Sequence, residues 1–197
     1  MKKIALLLSA LLVSSVSVAQ MNSSKHEFFI SYGTLPILSE KFADLKEPMI
    51  GTVYLSENEK EWGSVNVGYL YSISRNLAIG LSYNYSTTKA DLWLPNAELA
   101  SAKRKDTYHI VMPGAKYEWL TWKHFAFYSK AGVGIIFGKR KVSSENGFMK
   151  ESTEKKRFFA WQASPIGIEW GNTCIAGFVE GGIGAVGCVQ VGVRFKL

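Results

Sequence analysis

Six charged side chains stand among small and apolar neighbours at two-residue spacing: Lys116, Glu118, Lys130, Glu169, Glu180 and Arg194. Lys130 leads into Gly132 and Gly134, Glu180 lies between Phe178 and Gly182, and Arg194 follows Gln190 and Gly192. Three cations and three anions buried together could line an ion path, tune a catalytic group or neutralise one another. The last reading needs no further residue and is the one the sequence favours. The histidines are His26, His109 and His124, and Ser86 could lie beside His109 on a neighbouring strand. Nothing in the sequence supplies that pair with an acid partner or an oxyanion donor, so an activated nucleophile is not assembled. There is no Cys/His metal spacing and no phosphate-binding glycine loop. The expectation is therefore no catalytic residue, no metal and no cofactor.

These residues need strands to position them. The chain ends in two runs of strict period-2 alternation. In the last, Val189, Val191, Val193, Phe195 and Leu197 share one face; Gln190, Gly192, Arg194 and Lys196 share the other. In the run before it, Ile175, Gly177, Val179, Gly181 and Ile183 oppose Ala176, Phe178, Glu180 and Gly182. Gly184 to Gly187 is short enough to join them by a tight turn. A charged or small face backed by a large apolar face suits a barrel with a filled interior and an apolar exterior.

The same pattern recurs upstream. The first strand is expected over Lys25–Gly33 and the second over Ser64–Ile73. The third is the clearest, with Leu77, Ile79, Leu81, Tyr83 and Tyr85 against Ala78, Gly80, Ser82, Asn84 and Ser86. The fourth spans Thr107–Leu120, with its phase ambiguous near Pro113. The fifth spans Phe125–Gly138. The sixth spans Phe158–Trp170, where alternation slips near Pro165 as at a bulge. Three long connections are expected, 34–62, 89–105 and 139–156. The first could carry a short helix capped by Ser39. They alternate with short turns at 74–76, 121–124 and 171–172. Aromatic residues gather near the short turns (Tyr71, Tyr117, Trp119, Trp122, Trp170 and Phe195) and near the long connections (Tyr32, Trp62, Tyr85, Phe137 and Phe158). Two aromatic belts fit a wall that meets two interfaces.

The N-terminus accounts for export. Met1-Lys2-Lys3 is basic, Ile4–Val13 is apolar, and Ser17-Val18-Ala19 offers small cleavage positions, the form of a secretory signal peptide over residues 1–19. Residues 20–197 then form one domain with 21 basic against 16 acidic side chains. No stretch after the signal holds eighteen apolar residues, so no spanning helix is expected. Export also argues against nucleic acid as a partner despite a pI near 9.3. Lys103-Arg104-Lys105, Lys139-Arg140-Lys141 and Lys155-Lys156-Arg157 fall in the long connections, where they could bind outer phosphates or serve as ordinary solvated charge. Cys174 and Cys188 fall at opposite ends of one strand. At about 3.3 Å per residue they are too far apart to bridge, so two unbridged thiols are expected.

The order of GYLYSISRNLAIGLSYNY, MPGAKYEWL, YSKAGVGIIFG, GFVEGGIG and GVRFKL behind a signal peptide resembles the small eight-stranded outer-membrane barrels of the OmpA/OmpX-like superfamily, in the form common in Bacteroidota. The resemblance implies an all-β, eight-stranded antiparallel up-and-down transmembrane β-barrel in the cell outer membrane of a Gram-negative bacterium. The expected role is that of a monomer with a structural, porin-like or surface-interaction function and no catalytic activity. The strand register places Lys116, Glu118, Lys130, Glu169, Glu180 and Arg194 in the lumen, and the positions of Tyr71, Tyr117, Trp119, Trp122, Trp170 and Phe195 near the short turns put them at a membrane interface. The expected partners are outer-membrane lipids, the outer-membrane assembly machinery and, through the basic clusters, lipopolysaccharide phosphates. Two alternatives stay open. One is a lipid A-modifying enzyme, as some eight-stranded barrels are; the other is a soluble lipocalin-like binder, whose large apolar face would turn inward.

Overall fold

Alternation along the chain builds a single closed sheet. The computed structural model describes residues 25–34, 55–93, 102–122, 124–144 and 152–197. Eight strands run in chain order: β1 His26–Thr34, β2 Leu55–Ser72, β3 Leu77–Trp93, β4 Ala102–Thr121, β5 Phe125–Ser144, β6 Ser152–Gly171, β7 Ile175–Gly184 and β8 Val189–Lys196. Each pairs antiparallel with its sequence neighbour, and β8 returns to β1 to close an eight-stranded barrel. Closure satisfies every edge along the paired length, which an open sheet of these strands could not do. The expected signal peptide and the helix begun at Ser39 lie outside the described residues.

The two-residue period decides what faces inward. β1 alternates strictly between exposed and buried residues, with Glu27, Phe29, Ser31 and Gly33 inside. On β3 the small residues Ala78, Asn84 and Ser86 are buried, while Ile79, Leu81, Tyr83 and Tyr85 are exposed on the wall. Pro113 leaves the β4 phase undisturbed: Met112 is buried and the register with β5 is the same on either side of the proline. The slip on β4 comes later, between Glu118 and Leu120. At Pro165 the expected bulge is present, and it shifts β6 against both neighbours. Proline has no N–H to donate, which favours a break in the ladder at this point. Ser129 Oγ donates to the Pro165 carbonyl at 2.6 Å there.

Two expectations change. The long connections are shorter than the sequence suggests, because β2 begins at Leu55, β3 runs to Trp93, β4 starts at Ala102, β5 runs to Ser144 and β6 starts at Ser152. The three basic clusters therefore lie on strands and not in loops. Their segments are polar on both faces, so no hydrophobic period marks them as strands, yet their backbones continue the hairpin ladders. The second change concerns the tight turn. The β7–β8 hairpin is about half the height of its neighbours. Residues 185–188 fold inward at its tip, with Ala185 and Val186 6% and 2% exposed. Gly184 and Gly187 have φ of 143° and 136°, a region that L side chains avoid.

Candidate functional site

The charges expected in the lumen all point into it. Lys116 Nζ lies 2.7 Å from Glu27, 2.7 Å from Glu118 and 3.9 Å from Glu169. Lys130 Nζ donates to both oxygens of Glu180, at 3.0 and 2.9 Å. Arg194 is the hub. Its Nη1 pairs closely with Glu169, its Nε is 3.4 Å from Glu27 and its Nη2 is 3.8 Å from Glu180. Its guanidinium also lies over the rings of Phe178 and Tyr128, at 4.7 and 4.9 Å. Tyr128 donates its hydroxyl to Glu180 at 2.9 Å. Lys196 closes the group on Glu169.

Glu27, Glu118, Glu169 and Glu180 thus meet Lys116, Lys130, Arg194 and Lys196 inside the barrel. Three members of this group, Glu27, Lys196 and Tyr128, are not among the six that the sequence singles out. Glu27 and Lys196 carry a usable signal, since each shares the inward register of its strand. Tyr128 does not, because its size suggests the wall. Asp106 and Arg140 escape for another reason: the residues around them read as loop. They form a buried two-point pair, Arg140 Nε to Oδ1 at 2.9 Å and Nη2 to Oδ2 at 3.0 Å, and Arg104 adds a contact at 3.3 Å.

The outer wall changes character row by row toward the long-connection end. Leu81, Pro113, Val133 and Trp161 stand side by side on β3 to β6. Above them come Tyr83, Val111, Ile135 and Phe159, then Tyr85, His109, Phe137 and Arg157. Arg157 covers the Phe137 ring at 5.6 Å. The next row is Thr87, Thr107, Lys139 and Lys155, and above it Lys89, Lys105, Lys141 and Thr153. Lys105 is directly opposite both Lys89 and Lys141, and Lys139 is opposite Lys155. All five lysines are exposed. Like charges facing one another across a ladder repel, so this wall attracts anions.

At the other end Tyr71, Tyr117, Trp119, Trp122 and Trp170 are exposed on the wall, and Phe195 is partly exposed. His26 lies there too, with Nδ1 2.8 Å from Tyr69 Oη. His124 is exposed beside a short turn. Ser86 and His109 do not meet. Ser86 is buried inside the barrel, whereas His109 is on the wall with Tyr83 Oη 2.6 Å from its Nδ1. Adjacent positions on paired strands point to opposite faces, which keeps these two apart. Cys174 and Cys188 sit at opposite ends of β7 and form no disulfide.

No family model matches the chain, and no curated protein matches it. Solved structures similar to it include Ail, the attachment invasion locus protein of Yersinia pestis. In complex with the heparin analogue sucrose octasulfate, Ail shares 18% identity at a TM-score of 0.44, covering 87% of this chain and 96% of Ail. A second Ail structure shares 15% identity at a TM-score of 0.43, covering 88% and 95%.

Proposed function

We propose that the chain is a small outer-membrane barrel with a surface-interaction role, in which the basic wall of β3 to β6 docks the phosphate groups of outer-leaflet lipopolysaccharide. The observation that carries this reading is the order of the wall rows. A closed barrel with exposed Leu, Val, Ile and aromatic side chains is stable only where that wall meets lipid. From Phe125 to Phe137 the strand rises about 40 Å, which at the usual barrel tilt spans the roughly 25 Å apolar band and its interfaces. The basic rows begin just beyond the upper aromatics, at the height of lipid headgroups. The six aromatics Tyr71, Tyr117, Trp119, Trp122, Trp170 and Phe195 would mark the periplasmic interface. Residues 1–19 would be the export signal and the outer-membrane assembly machinery the inserting partner, with a monomeric barrel of a Gram-negative bacterium as the product.

A structural lumen and a non-catalytic role accompany this reading. The interior charges neutralise one another at close range, and the Ser86–His109 pair that a lipid A-modifying enzyme would use is split across the wall. The lipocalin-like alternative needs the large apolar face inside, and here that face is outside. Two measurements test the proposal. After cell fractionation, the full-length protein should be recovered with outer membranes, in a band that shifts on heating. Recovery as soluble periplasmic protein without detergent would overturn it. The refolded barrel should float with vesicles containing lipopolysaccharide and be released by added salt. Release by heparin but indifference to lipopolysaccharide would assign the basic wall to a sulfated polysaccharide instead.

A further inference from the structure

The middle of the lumen holds polar groups that no described protein group answers. Ser31, Asn66 and Asn84 lie side by side on β1, β2 and β3, facing inward. The Ser31 hydroxyl has no hydrogen-bond partner among the described residues, nor does either end of the Asn66, Asn84 and Gln190 carboxamides. Asn66, Asn84 and Gln190 are 1%, 0% and 1% exposed. A buried polar group left unpaired is costly, and native interiors satisfy nearly all of them with protein or ordered water.

A cavity of about 20 Å³ adjoins this row, lined by Asn66 and Gln190 with Ser82, Met112, Lys130 and Val186. That is room for one or two ordered waters and for little else. The chemistry agrees. Each carboxamide leaves both a donor and an acceptor open. An anion would answer only the N–H groups and a cation only the oxygens, whereas water answers both.

Above the cavity the inward-folded turn closes the barrel. Val186 belongs to an apolar cluster with Tyr108, Ile110, Met112 and Ile136. Interior side chains hold the turn in place. Gln162 Oε1 accepts from Val186 N–H at 2.9 Å, and Gln162 Nε2 donates to the Gly187 carbonyl at 3.1 Å. Ser64 Oγ donates to the Val186 carbonyl. The backbone N–H groups of Ala185 and Cys188 bond to Trp161 and Thr34 carbonyls, both at 2.9 Å. Gly33 makes room, because a Cβ there would collide with the Val186 carbonyl oxygen.

We propose that residues 185–188 form a plug that seals the mouth of the barrel over a buried water site built by Asn66 and Gln190. Displacing the plug opens that site to water and small polar solutes from the outer side. The proposal rests on the membrane reading only in taking the mouth as the aqueous approach.

The test uses the full-length barrel reconstituted in phospholipid vesicles, with Cys174→Ser and Cys188→Ser throughout and Ser82→Cys as the reporter in the cavity wall. A small methanethiosulfonate added outside should modify the thiol at position 82 slowly while the plug is held. With Gln162→Ala and Ser64→Ala in addition, modification should be at least ten-fold faster. A heat-shifted gel band establishes that both proteins are folded. Equal rates in folded protein, or rapid modification with the plug intact, would overturn the plug. Radiolytic footprinting reads the water directly: Met112, 3% exposed, should still be oxidised in the folded barrel by radicals formed at the adjacent water. Complete protection of Met112 would overturn the water site. Failure of the protein to float with vesicles would instead count against the membrane reading, and the labelling comparison would then be decided in detergent micelles.

Discussion

The barrel carries charge in two regions that follow opposite rules. Inside, signs alternate: Lys116 lies between Glu27 and Glu118, and Arg194 between Glu169 and Glu180. Outside, signs repeat: Lys89, Lys105 and Lys141 face one another across three strands. Desolvation explains the difference. A charge without water must have its counter-charge in contact, whereas a solvated charge can tolerate its like. An interior built this way neutralises itself, while the wall leaves its positive charge open to solvent.

Breaking the interior should have the largest effect. Arg194→Ala leaves Glu169, Glu27 and Glu180 short of a shared partner and should cost at least the ~3–5 kcal/mol typical of a broken buried pair. Denaturant titration of the refolded barrel measures it. Glu180→Ala should come next, since it strands Lys130 but leaves Arg194 its contacts with Glu169 and Glu27. Midpoints for either variant equal to that of Lys105→Ala would show that the two regions do not differ.

The wall should respond in binding and not in folding. Lys105→Glu with Lys141→Glu reverses two charges, each worth about 1 kcal/mol against an anionic surface. Affinity for lipopolysaccharide vesicles should fall at least ~10-fold with the unfolding midpoint nearly unchanged. A parallel loss of stability would mean that these lysines serve the fold. Salt separates the regions without mutation. Raising ionic strength from about 0.05 to 0.5 M shortens the screening length severalfold, so vesicle binding should weaken. The unfolding midpoint should barely move, because the interior pairs are shielded from solvent ions. The smallest effect is that of Lys105→Ala alone. It relieves two like-charge contacts, so stability should stay level or rise by a few tenths of a kcal/mol. A marked drop would reveal a partner for Lys105 that the repulsion argument leaves out.

Much of this arrangement is legible in the amino-acid sequence. Alternation assigns Lys116, Glu118, Lys130, Glu169, Glu180 and Arg194 to one face, and all six are inside. It fails where the pattern is silent. Segments such as Lys103–Thr107 and Lys139–Val142 are polar on both faces, so their strand character shows only in their pairing. The Asp106–Arg140 pair is hidden for that reason. Tyr128 misleads because size is a poor guide to the wall; the ring fits inside where the facing position on β6 is Gly167.

Which face each residue takes follows from the chain locally, because the two-residue period of a strand needs no distant partner. Pairing across the short turns follows as well, because a short turn obliges its two strands to lie side by side. Which interior charges meet does not follow in this way. Arg194 reaches Glu169 and Glu27 because closing the sheet staggers the strands, and that stagger is a property of the whole ring and not of any one segment. The inward turn has the same origin. Gly184-Ala185-Val186-Gly187 could form an ordinary hairpin turn, but the lumen beneath it offers Gln162, Ser64 and an apolar cluster that no outward turn could use.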